Sequence, residues 1–82
     1  GDGSLKQSNQ GYNIQARNFN GVEIHSTPTD WGNHSGYEHF IKRGQVLHVD
    51  SLVPVSDLYR FQLNYGGHTA YVTANKNFVK VL

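Results

Sequence analysis

The sequence predicts a small all-β domain, and three observations support that prediction. Apolar and polar residues alternate over several short segments, as in half-buried strands. Turn-forming residues, with nine glycines among them, separate these segments about every eight to twelve residues. Apolar residues do not recur at helical spacing over three turns, so no helix longer than one turn is expected. Five or six short strands in a sandwich or barrel suit 82 residues, and a barrel removes exposed strand edges most economically.

The chain has room for one domain, preceded by a polar segment. Residues 1–13 contain one aliphatic residue, Leu5, among glycine, serine, amides and charges. This composition is typical of a linker or of a cloning-derived segment. We therefore expect the packed domain to span residues 14–82.

Strand and turn patterns divide the domain into short elements. The first strand covers residues 22–25 and ends in a turn-rich cluster, and a loop with two aromatic rings follows at 30–37. Residues 40–49 predict a strand, a basic turn and a second strand. Pro54 restricts any strand around it to a sheet edge or a bulge, because proline has no N–H to donate.

The last third of the chain predicts a hairpin and a closing strand. Residues 58–63 and 68–73 flank the turn residues Gly66 and Gly67, residues 74–77 suit a single 3₁₀ turn, and residues 78–82 end the chain on the core. The predicted core consists of alternating apolar side chains, namely Val22, Ile24, Val46, Val49, Phe61, Val72 and Phe78.

Composition limits the partners and the chemistry. The net charge of +1 gives no basic stripe for nucleic acid, and no apolar run reaches the roughly 18 residues that span a bilayer, so neither nucleic-acid binding nor membrane insertion is expected. The chain has no cysteine, its six acidic residues are scattered, and no Gly-x-Ser-x-Gly motif occurs. Of the five histidines, His34 and His39 alone have a spacing seen in metal sites. We expect no catalytic residue, no metal site and no cofactor.

Aromatic residues in loops are the best candidates for ligand contact. Trp31 and Tyr37 flank glycines in the predicted loop, and Tyr65 lies at the hairpin tip, so their rings could stack on a peptide or a sugar. The alternative is that the loop rings cover the core. Nearby amide and imidazole groups could supply hydrogen bonds, which completes a predicted ligand-binding set of Trp31, Asn33, His34, Tyr37, Asn64 and Tyr65.

Three segments in order resemble the bacterial SH3-like (SH3b) family, especially the C-terminal repeats of Gram-positive surface proteins and wall hydrolases. They are Val22-Glu23-Ile24-His25-Ser26-Thr27-Pro28, then Phe40 to Val49 with its basic turn, then Tyr59 to Leu63 followed by Gly66-Gly67 and Ala70-Tyr71-Val72. His25 replaces the family's usual arginine, and Ala70 replaces a common glycine. The resemblance covers residues 20–82 and implies a small SH3-like barrel.

The same resemblance implies a non-catalytic, extracellular, wall-associated module, with its signal peptide outside this fragment. Its expected partners are peptidoglycan peptide or another wall polymer, together with other domains of the same polypeptide. Two alternatives stay open: an SH3-like interaction domain that grips an extended peptide, and a structural spacer repeat.

Overall fold

The computed structural model describes residues 11–82 and is all-β, as the sequence predicts. It contains one 3₁₀ turn, Trp31–Asn33, and eight strands. In chain order the strands are β1 Tyr12–Ala16, β2 Val22–His25, β3 Tyr37–Ile41, β4 Val46–Val49, β5 Ser51–Val55, β6 Leu58–Tyr65, β7 His68–Thr73 and β8 Val79–Val81.

Within residues 11–82 the strands form two antiparallel sheets and no closed barrel. One sheet has the order β4-β1-β8, and the other has the order β3-β2-β7-β6-β5. The prediction of five or six strands was wrong, because β1 begins at Tyr12, inside the segment assigned to a linker, and β5 is a strand of its own. The rest of that segment, residues 1–10, lies outside the described residues.

Both sheets contribute to one hydrophobic core. Its buried members are Ile14, Ala16, Val22, Ile24, Ile41, Val49, Phe61, Leu63, Ala70, Val72 and Val79. Two core predictions were wrong. Val46 is 52% exposed because it lies at one end of β4, an edge strand, and Phe78 is 37% exposed because Val79 takes the inward position beside it.

The basic turn at residues 42–45 connects the two sheets. The segments before and after it are strands, as expected, but β3 pairs with β2 whereas β4 pairs with β1. The N–H of Gly44 donates to the carbonyl of Ala16, and the N–H of Ala16 donates to the carbonyl of Gln45. Lys42 and Arg43 are therefore exposed at a corner between sheets, not at a hairpin end.

Local sequence correctly located the last hairpin and the edge proline. β6 and β7 pair from Arg60↔Thr73 to Tyr65↔His68, and Gly66 and Gly67 both have positive φ (62° and 92°), as a type I′ turn requires. Pro54 lies in β5 at the edge of the larger sheet. The 3₁₀ turn was expected at residues 74–77 and is found instead at Trp31–Asn33.

Candidate functional site

The outer face of the larger sheet is covered at one end by the loop of residues 26–36. Alternation along β2 turns Val22 and Ile24 inward and Glu23 and His25 outward. His25 is nevertheless fully buried, because the loop lies over it. The side chain of His25, which points away from the core, is therefore buried beneath the loop, where it lines a groove.

Hydrogen bonds tie the two ends of the loop together. The N–H of Ser26 donates to the carbonyl of Gly36 over 2.7 Å, and the hydroxyl of Thr27 donates to the carbonyl of Ser35 over 3.3 Å. Gly36 has φ 71°, and a Cβ at this position would lie 2.8 Å from the Thr27 hydroxyl oxygen. Glycine suits this position, since a side chain would be strained at this φ and would push the two ends of the loop apart.

Trp31 holds the loop to the sheet. Its ring stacks on His25 with 4.3 Å between centroids and an angle of 11°, and its indole N–H donates to the carbonyl of Thr27 over 2.7 Å. The Arg60 guanidinium lies 3.5 Å from the centre of the indole, and Arg60 Nε donates to the carbonyl of Pro28. We call His25, Trp31 and Arg60 the anchored wall.

Partial burial lowers the pKa of the Arg60 guanidinium from its ordinary value. A guanidinium stays charged in proteins, so Arg60 places a positive charge on the indole face. The anchored wall therefore combines stacking with a cation–π contact.

A groove of about 520 Å³ opens beside the anchored wall. Three of its aromatic residues are partly exposed: Tyr37, Phe40 and Phe78 are 45%, 43% and 37% exposed. We call these three residues the open wall. The remaining lining comes from the β1–β2 connection, from β2, from the anchored wall and from the end of β7, and consists of Asn18, Asn20, Gly21, Val22, Glu23, His25, Trp31 and Thr73.

Glu23 lies across from Phe40 in the β2–β3 pairing and contacts two histidines through one oxygen. Its Oε1 is 2.9 Å from His25 Nε2 and 3.7 Å from His34 Nδ1. Within residues 11–82, Glu23 Oε2 makes no hydrogen bond, and 43% of this side chain is exposed.

The structure separates the six predicted binding residues. Trp31 and Tyr37 line the groove, whereas the other four do not. Tyr65 lies on the same inner side of β6 as Phe61 and Leu63, and it packs against the core. Asn64 accepts a hydrogen bond from the Gly67 N–H in its own turn.

The two remaining predicted residues are exposed on the loop. Asn33 ends the 3₁₀ turn. His34 follows it and lies edge-on to Tyr37, with 6.3 Å between ring centroids.

Sequence reasoning did not identify Glu23, Phe40 or the outer side of Phe78 as part of a site. The alternation of β2 already placed Glu23 outward, and that was the available signal. Phe40 could not be assigned to the groove before its pairing with Glu23 was known.

No group of three or more His, Cys, Asp or Glu side chains in residues 11–82 could hold a metal ion. No helix in this part of the chain is long and apolar enough to cross a membrane. Compared with protein-family models, with curated proteins and with solved structures, the chain matches none of them.

Proposed function

We propose that this chain is a non-catalytic binding module that attaches a larger surface protein or hydrolase to the Gram-positive cell wall. The observation that carries the proposal is the groove, whose lining combines the three partly exposed rings of the open wall with the carboxylate of Glu23. Rings that remain exposed beside convergent polar groups are typical of ligand sites.

We also propose that the fold is an open form of the SH3-like barrel. Support comes from the single core shared by two antiparallel sheets and from the tight β6–β7 hairpin near the end of the chain. These features agree with the order of the three segments that resemble the SH3b family.

An extended peptide is the second candidate ligand. β3 is an edge strand of its sheet and carries two rings of the open wall, Tyr37 and Phe40. A peptide could add to this edge through main-chain hydrogen bonds while its side chains enter the groove.

Sedimentation with purified Gram-positive cell walls tests the proposal. We expect the 82-residue chain to sediment with walls saturably, and Tyr37→Ala to sediment much less. Tyr59→Ala is the matched control, because Tyr59 is also 45% exposed but lies outside the groove. Failure of the unmodified chain to sediment contradicts wall binding, and equal loss in both variants contradicts the assignment to the groove.

A further inference from the structure

The His25–Glu23 pair lies in the lining of the groove. His25 Nε2 lies 2.9 Å from Glu23 Oε1, and Nδ1 lies 3.0 Å from the carbonyl oxygen of Ser35. These contacts engage both nitrogens of His25 and one of the two carboxylate oxygens of Glu23.

Few charged groups lie around this pair in the described part of the chain. His34 on the loop contacts Glu23, and Tyr37 on β3 and Tyr71 on β7 lie beside His25. Among the described lining residues, Glu23 is the one carboxylate and there is no lysine or arginine, so an anionic ligand gains no salt bridge there. A cationic ligand, such as a lysine side chain, would have to share a carboxylate that already contacts His25.

The open wall and the polar lining suit a ligand that has both an apolar face and hydrogen-bonding groups. Tyr37, Phe40 and Phe78 offer flat apolar rings, while Asn18, Asn20 and Glu23 offer hydrogen-bonding groups at the same groove. A pyranose ring matches both, because its C–H face stacks on aromatic rings and its hydroxyls bond to amides and carboxylates. The volume of about 520 Å³ lies in the range of small-molecule sites.

From these three observations we infer that the groove binds a neutral oligosaccharide. Sugar faces stack on the open wall, and sugar hydroxyls bond to Glu23 Oε2 and the asparagine amides. The inference rests on the proposed function and names the part of the wall that is recognised, a glycan and not a peptide.

Two-dimensional NMR titration of the 82-residue chain tests the inference with two neutral probes, the tetrasaccharides of N-acetylglucosamine and of glucose. We expect at least one to shift the Trp31 indole N–H and the amides of Glu23 and Thr73 saturably. Tyr37→Ala should weaken binding about tenfold, the loss expected for one aromatic contact. Phe78→Leu keeps an apolar side chain without a ring and should weaken binding similarly, whereas Tyr59→Ala should not.

A lysine-containing tetrapeptide with free amines serves as the competing probe, and wall sedimentation runs in parallel. Wall binding without a response to either sugar, or groove shifts caused by the peptide alone, overturns the inference and leaves the proposed function standing. Sugar binding without wall binding supports the inference and contradicts the proposed function. No response to sugars or walls overturns both.

Discussion

Both walls of the groove carry aromatic residues, but these residues differ in how much of their surface is already covered. On the anchored wall, Trp31 has a stacking partner, a hydrogen bond from its indole N–H and a guanidinium over its ring. On the open wall, Tyr37, Phe40 and Phe78 keep between 37% and 45% of their surface in water. Trp31 is stacked on His25 and lies under Arg60, whereas the Tyr37 ring meets its neighbours His25 and His34 edge-on. The kind of contact separates a structural aromatic residue from one whose face can bind.

The largest loss of stability should come from His25→Ala, which removes the ring on which Trp31 stacks. The substitution leaves a cavity under Trp31 and takes a hydrogen-bond partner from Glu23 and from the Ser35 carbonyl. We expect the free energy of unfolding to fall by about 3 kcal/mol, measured by urea denaturation.

His48→Ala is the control for this measurement. His48 is exposed on β4 and hydrogen-bonds the Asn13 side chain, so its loss should cost less than about 1 kcal/mol. Equal effects of the two substitutions would show that burial under Trp31 is not what stabilises the loop.

Trp31→Ala should have the next largest effect, because it removes the stack on His25 and the bond to Thr27 together. We expect a loss of about 2 kcal/mol by the same measurement. Trp31→Phe keeps a ring without the N–H and should recover about half of that loss. Phe19→Ala, at a ring that is 81% exposed, should be nearly neutral, and a similar cost at both positions would argue against an anchoring role for Trp31.

Arg60→Lys should have a smaller effect that isolates the guanidinium. Lysine keeps the positive charge but loses the planar group that lies 3.5 Å over the indole and the Nε bond to Pro28. The expected loss is about 1 kcal/mol, again by urea denaturation. Arg43→Lys, in the exposed corner turn, should change stability by less than about 0.5 kcal/mol, and a null result at Arg60 would mean that the contact contributes nothing measurable.

Tyr37→Ala should have the smallest effect on stability, because nearly half of this side chain is in water. We expect a loss below about 1 kcal/mol, together with the loss of wall binding described above. This pattern is the reverse of that expected for Trp31. A stability loss as large as that of Trp31→Ala would mean that the open wall is also structural.

Local sequence predicted the elements whose signals come from neighbouring residues. Period-two alternation gave the inward positions Val22, Ile24 and Phe61, and the Gly66-Gly67 pair gave the β6–β7 turn, since both features depend on side chains a few positions apart. Of the predicted ligand-binding residues, Trp31 and Tyr37 line the groove. Tyr65 lies at the hairpin tip, as expected, and packs against the core, because sheet packing decides which face of β6 meets the core.

The sequence by itself determined an all-β chain with short strands, five of its eleven buried core residues and its last hairpin. Tertiary structure alone decided that β3 and β4 belong to different sheets, that His25 is buried beneath Trp31, and that Glu23 and Phe78 meet in one groove. The physical reason is the distance along the chain between interacting residues. Alternation and turn formation depend on residues a few positions apart. Strand pairing between sheets and the packing of a loop over a sheet depend on residues far apart in the sequence.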